Sequence, residues 1–358
     1  MSVFVPTFDD QANLIVGYSR ADKFPINNYT QMVTVNKMIG LYLKFEPKDQ
    51  SRVPFFTQST TNTNVGNNWV FADGQRRSLQ DGKDTNSRFG YISYTLQRFS
   101  PKGTLGYLTL EQAQWDVKKK ILDDLAFKAM IQRTIRANAV MSDTSQYASN
   151  HYSASSSSIG GGAWNAGTIN NPYIKQACLT MRNQILLDSL GGVQPSDLCL
   201  IMNPNGAKTT ADTQEIHAYL AQQVDSGKMI EGKYPNVAEN YGIPPMLYGF
   251  KVIVENTVIT TNSSGSGLEN TNPDVLDSTS FVFADNQVFV ASRPGAIPGE
   301  AGGNSFCSVT CLEFEGEEMV SEMFDIPEDK LCNFYITDTN IFLLTSPETF
   351  YNIGNITA

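Results

Sequence analysis

The sequence predicts an α+β body carrying one long helix, a projecting two-stranded hairpin and an amino-terminal arm. Three observations carry that reading. Residues 107–140 contain no Gly or Pro and repeat apolar side chains at helical spacing. Beyond residue 197, short apolar strand runs alternate with helical patterns and Gly/Ser/Asn-rich turns. Residues 39–100 read as a strand, a long polar excursion and a returning strand.

In chain order, residues 1–38 are polar, with Pro6 and Pro25 and little periodicity, and form an arm that orders only on another surface. Met38 to Phe45 reads as a buried strand. Residues 47–90 turn polar, and within them Trp69-Val70-Phe71 precedes the turn signal Asp73-Gly74. Arg88 to Phe99 then alternates, with Phe89, Tyr91, Ser93 and Thr95 on one face and Ile92, Tyr94 and Leu96 on the other. A long two-stranded excursion is not stable alone in water. Trp69, Phe71, Phe89, Tyr91 and Tyr94 are therefore expected to be covered by a partner surface. Arg76 and Arg77 near the tip either pair with a neighbour's acidic surface or remain solvated turn charges.

Thr109 as N-cap, with Gln112 completing a capping box, opens a helix over about 110–139, some 45 Å long at 1.5 Å per residue. Val117, Ile121, Leu122, Leu125, Ala126, Ala129 and Met130 make its apolar face, and Lys118, Lys119 and Lys120 a solvated one. Residues 142–170, with serines from Ser155 to Ser158 and then Gly160 to Gly162, read as a flexible linker or a loop held by neighbours. They lack the Gly-Lys-Ser/Thr ending of a phosphate-binding loop. Asn171-Pro172 starts a second helix that stops at Gly191-Gly192. Asp197 to Met202 is a buried strand closed by a turn over 203–206, followed by a helix over 211–225 and a strand over 250–258. Phe281 to Phe283 and Val288 to Val290 suggest a tight hairpin across Asp285-Asn286. The end is strand-rich, over 306–314, 318–324, 332–337 and 340–344.

The 358 residues hold 41% hydrophobic but only 17% charged side chains, against about 25% charged in an average globular protein. A surface poor in charge suits one covered by neighbours. The net charge of −10 and the absence of a basic patch speak against specific nucleic-acid binding. No apolar run approaches the roughly 20 residues of a membrane span, and no basic-then-apolar leader opens the chain. The cysteines Cys178, Cys199, Cys307, Cys311 and Cys332 are scattered and read as packed thiols, not a metal site. Only two histidines occur, His151 and His217, and no Gly-x-Ser-x-Gly supports a catalytic triad. Glu313 and Glu315 alternate with Leu312 and Phe314 on a strand edge, which leaves a carbohydrate-active enzyme as the rival class. No cofactor, metal or catalytic site is expected.

Two stretches carry a family resemblance. Tyr241-Gly-Ile-Pro-Pro-Met-Leu-Tyr-Gly-Phe-Lys-Val-Ile-Val254, with Pro245, Leu247, Gly249 and Val252, resembles the pattern preceding an axial-domain strand in the Hong Kong 97-type major capsid proteins of tailed phages. Phe334 to Phe350 is similar to that family's closing peripheral segment. Lys251 departs from the pattern, standing where Pro is common. The resemblance implies an N-terminal arm (1–38), a peripheral domain (39–47, 105–172 and 304–358) with a spine helix (110–139), an E-loop (48–104) and an axial domain (173–303). It further implies pentamers and hexamers building an icosahedral virion shell. That shell would be assembled in a bacterial cytoplasm, with DNA contacted non-specifically, a separate scaffolding protein, portal and decoration proteins as possible partners, and no membrane. An encapsulin-like shell enclosing enzyme cargo is the alternative within the same fold.

Overall fold

A computed structural model describes residues 43–45, 52–57, 88–113, 116–189, 191, 193–225, 241–260, 279–292, 308–314, 320–344 and 346–357. Expectations for the arm, for Trp69, Phe71, Arg76 and Arg77, for Cys307 and for Glu315 lie outside these residues. In chain order come β1 (Leu43–Phe45), β2 (Arg52–Thr57), β3 (Arg88–Ser93), β4 (Gln97–Phe99), β5 (Lys102–Gly106), α1 (Tyr107–Gln112) and α2 (Val117–Ser142). Next are β6 (Tyr152–Ser153), α3 (Ser157–Gly160), α4 (Tyr173–Asp188), β7 (Leu198–Met202), α5 (Pro204–Ala211), α6 (Gln214–Asp225), β8 (Met246–Leu247) and β9 (Phe250–Val254). The chain closes with β10 (Val258–Thr260), β11 (Thr279–Phe281), β12 (Val288–Ser292), β13 (Val309–Phe314), β14 (Val320–Ile326), β15 (Leu331–Leu344) and β16 (Tyr351–Ile353). The mixed α+β character read from the sequence is what the chain adopts.

One sheet is built on β15, a single 14-residue strand where the sequence suggests two. Its halves are held by different partners, β14 along Leu331–Thr337 and β13 along Asn340–Leu344, which is why the pattern looks interrupted. On the opposite edge β4 and β5 continue one register, from Gln97 opposite Asn340 to Gly106 opposite Leu331. The break between them falls at Pro101, which has no N–H to give to the ladder. The excursion expected over 48–104 is thus shorter, because the body's sheet already begins at Gln97.

The long helix begins later than its sequence signal. Ala113 is extended, separating the short α1 from α2, and Asp116, not Thr109, is the cap of the long segment, its Oδ1 accepting from the Lys119 N–H at 3.1 Å. Leu122, Leu125, Ala126, Ala129 and Met130 then bury against Leu105, Cys332, Phe334 and Ile336 of the sheet. Gly103 permits that approach, since a Cβ there would lie 2.7 Å from Ile121 Cγ2.

The second sheet runs β6-β16-β12-β7-β9-β8, and every residue of β7 and β12 is buried. Both faces are covered, so these strands read as continuous apolar runs, not alternating ones. Leu198, Leu200, Met202, Val288 and Val290 face Ile174, Ala177, Met181 and Ile185 of α4 together with Ile216 of α6. Cys199, Ile201, Phe289 and Ala291 face Ala137 and Met141 at the end of α2, along with Phe342 and Leu344 of β15. The long helix and long strand therefore belong to two cores at once. Cys178, Cys199, Cys311 and Cys332 are buried, as expected of packed side chains.

Other local expectations are corrected. Asn203-Pro204 starts α5 and does not close a turn, because the Asn203 Oδ1 accepts from the Gly206 N–H at 2.7 Å. The expected 211–225 helix is α6 alone, beginning at Gln214. β11 pairs with β10, and β12 with β7 and β16, so Asp285-Asn286 joins two different sheets. The Ser/Gly segment 142–170 is held by its own chain: Trp164 is fully buried, and the Trp164 and Ser156 N–H groups donate to Ile356 and Asn355 carbonyls.

The second helix departs from its sequence signal most instructively. Pro172 occupies the cap position with no side-chain cap, and Asn171 plays no such part. Glu215, 3% exposed on α6, accepts instead from the backbone N–H groups of Ile174 (3.0 Å) and Lys175 (2.8 Å) and from the Tyr248 hydroxyl (2.8 Å). Burial, and the Glu215 carboxylate it donates to, push the Tyr248 hydroxyl pKa up. Glu215→Ala is expected to cost about 2 kcal/mol in urea unfolding, from a lost helix cap and two stranded N–H groups. A loss below about 0.5 kcal/mol would contradict this cap.

Candidate assembly interface

Phe89 and Tyr91 lie on β3 opposite Phe56 and Pro54 of β2, in an antiparallel ribbon running from Arg52↔Ser93 to Thr57↔Arg88. Among the described residues the ribbon pairs with no other strand. Tyr94 follows it immediately and corrects its expected role at an intersubunit contact. It is 8% exposed, packed with Leu96, Ile341 and Leu343 of its own chain, and fixes the ribbon's root to the body.

The stretch containing Pro245, Leu247, Gly249 and Val252 has a plain physical meaning. β8 and β9 form a hairpin in which Leu247 pairs with Phe250 across Tyr248 (φ 47°) and Gly249 (φ 91°). Two successive residues at positive φ make the tight turn suited to the strand twist, and the second is Gly. The Val252 N–H donates to the Pro245 carbonyl at 2.9 Å, while Leu247 and Phe250 are fully buried. These residues shape the edge of the second sheet.

Below the ribbon's root, α2 is clamped to β15 by charge. Asp338, 1% exposed, receives Arg133 Nε (3.0 Å) and Nη2 (2.6 Å), Arg136 Nη2 (2.9 Å) and Asn340 Nδ2 (2.7 Å). Arg136 also lies over the Phe99 ring at 3.6 Å. Burial raises the Asp338 carboxyl, but the two guanidiniums outweigh it and hold its pKa below the ordinary value.

His151 is buried, with Nδ1 2.7 Å from the Phe350 carbonyl and Nε2 2.6 Å from Asp188 Oδ2. Asn150 and Gln184 also donate to that oxygen. The adjoining cleft is lined by Ala148, Asn150, His151, Asp188, Pro347 and Glu348. Both ring nitrogens of His151 are engaged in holding the C-terminal segment to α4, while His217 is exposed. Among the described residues no three His, Cys, Asp or Glu side chains gather as metal ligands, and no helix is long and apolar enough to cross a membrane.

On the face of the first sheet away from α2, Phe324 is 54% exposed and meets Tyr335 edge-on at 5.8 Å, with Lys102 Nζ 5.9 Å from the Tyr335 ring centroid. Local patterning does not reveal this face, because Phe324 and Tyr335 meet across a strand pairing and Lys102 lies more than two hundred positions away.

No protein-family model matches the sequence, and no curated protein is similar to it. Solved structures are. A phage-related protein from Bordetella bronchiseptica aligns over 95% of this chain and 96% of its own, with a TM-score of 0.58 at 10% identity. The two chains share a fold. Looser likenesses, at 8% and 10% identity, are the mature capsid of bacteriophage PhiM1 (88% of this chain, 85% of that chain, TM-score 0.48) and a virus-like particle from Pyrococcus furiosus (95% and 96%, TM-score 0.45).

Proposed function

We propose that this chain is the major capsid subunit of a tailed bacteriophage, with the Hong Kong 97-type architecture, and that its work is assembly, not catalysis. The observation that carries the reading is the β2–β3 ribbon, which is rooted at Tyr94 and paired with nothing else among the described residues. A two-stranded ribbon with no further partner is marginal in water, and in this reading its stability comes from a second copy. The fold shared with a phage-related protein supports this, as do the low charge content and the exposed Phe324 face.

In this reading five or six copies place the axial region, roughly 173–303, about a symmetry axis. Each ribbon lies across the next subunit, with Trp69, Phe71, Phe89 and Tyr91 as its anchors and Arg76 and Arg77 at its tip. Interfaces of well over roughly 1,000 Å² per pair result. The shell encloses double-stranded DNA that an acidic chain does not grip, is built in the host cytoplasm, and takes scaffolding, portal and decoration proteins as separate partners. Sedimentation of the purified full chain is the test. Closed particles of megadalton mass are expected, and a single-chain species at every concentration would overturn the reading.

A further inference from the structure

We propose that Glu255 is a proton-controlled hinge at the root of the β10–β11 hairpin. The residue leaves the end of β9 directly and is 1% exposed. Its N–H donates to the Met202 carbonyl of β7 at 2.9 Å. Its Oε1 accepts the Thr257 N–H at 3.0 Å and also the Thr257 hydroxyl. The Thr257 carbonyl in turn accepts from the Val282 N–H at 3.0 Å, and the Val282 carbonyl from Asn138 Nδ2 of α2 at 2.9 Å. Next to it Asn203 Nδ2 donates to the Phe283 carbonyl at 3.2 Å. One knot therefore ties the second sheet, the long helix and both legs of the hairpin together, and Glu255 is its carboxyl group.

The knot is incomplete in one respect. Glu255 Oε2 is buried and has no hydrogen-bond partner among the described residues, and neither has Asn256 Oδ1 beside it in the chain. Asp285, on the exposed turn after Phe283, has its Oδ1 taken by the same Asn203 amide at 2.6 Å. Among the described residues no cation bonds to Glu255. An ionised carboxylate with an orphan oxygen in such a place is costly, while the neutral acid carries a hydrogen on one oxygen and sheds the charge. Burial lifts the Glu255 carboxyl to about 7, against the pull of the Thr257 bonds in the other direction. A carboxyl whose folded pKa is raised stabilises the closed root fully below the ordinary carboxylate range. That contribution is lost as pH climbs through about 7. The hairpin root is sealed in mild acid and draws in water above neutrality.

If the shell reading holds, the hairpin belongs to the region expected near the symmetry axis, so the hinge would tie axial contacts to pH. That last step rests on the proposed function, but the hinge itself does not. Hydrogen exchange on the full chain, expressed as protection factors at pH values of about 5.5, 7 and 8.5, tests it. Protection at 258–260 and 279–282 is expected to fall about tenfold or more across that range. It should be flat in Glu255→Gln, and in Thr257→Val, which removes the hydroxyl donor, the midpoint should move upward. Constant protection in the parent chain, or an unchanged pH step in Glu255→Gln, would overturn the hinge. Should Glu255→Gln fail to fold by circular dichroism, the Thr257→Val midpoint decides: an upward move supports the hinge, and an unmoved midpoint overturns it. A pH step in a chain that never forms particles would sink the shell reading and leave the hinge standing.

Discussion

Asp338→Ala is expected to remove about 3–5 kcal/mol of stability, a large share of the roughly 5–15 kcal/mol of an ordinary domain. The buried carboxylate is shared by Arg133, Arg136 and Asn340. Removing it takes the bidentate acceptor from Arg133, 9% exposed, and the carboxylate from Arg136, 15% exposed, whose buried Nε and Nη1 already have no hydrogen-bond partner among the described residues. The loss exceeds the net value of the intact cluster, because a buried charge without its partner keeps its full desolvation penalty. Asp338→Asn should lose less, since the amide oxygen still accepts one bond. The same residue fixes an acid limb. Its folded pKa lies below the ordinary carboxylate value, so its contribution is present above that value and drains away as pH falls through the folded one. Urea melts at neutral pH and in mild acid check both statements, and a neutral-pH loss under about 1 kcal/mol would contradict the clamp.

Replacing residues 58–87 with Asn-Gly is expected to abolish assembly while leaving the body folded. Thr57 and Arg88 are directly opposed at the end of the ribbon, so a two-residue turn closes it without strain. The deleted stretch contains Trp69, Phe71, Arg76 and Arg77, and none of the body's described core residues. The melting temperature should hold within about 2 °C, the shift that ~1 kcal/mol brings in a large domain. Particles should vanish from sedimentation profiles. Normal particles would show that the tip carries no assembly contact, and a collapsed melt would show that the body needs it.

Much of this protein was legible in the sequence where one periodic signal dominates. The apolar face of α2 packs as its spacing implies, and β7 is the fully buried strand expected of Leu198 to Met202. Boundaries failed where a distant partner outweighed the local signal. Thr109 and Gln112 look like a capping box, yet Ala113 turns extended and Asp116 takes over. Asn171 looks like a cap, but Glu215 from another helix reaches the exposed N–H groups. β15 looks like two strands because its two halves find different neighbours.

The candidate interface divides similarly. Phe89 and Tyr91 on the ribbon follow from alternation alone, whereas Tyr94 belongs to the body because the chain changes partners just there, from β2 to β15. Asp338, Glu215 and Glu255 were invisible to motif reading. Each is an isolated carboxylate in the sequence, and only the fold supplies the guanidiniums, helix end or hairpin root that gives it a role.

The claim that matters most is that the ribbon owes its order to sister copies. Hydrogen exchange at Val53–Thr57 and Phe89–Ser93, compared between assembled particles and the same chains dissociated in dilute solution, addresses it without mutation. Slow exchange in particles and near-unprotected exchange in dissociated chains, with β7 and β12 amides slow in both, is the expected pattern. Equal protection of the ribbon in the isolated chain would mean that it is stabilised from within, and the assembly account would have lost its foundation.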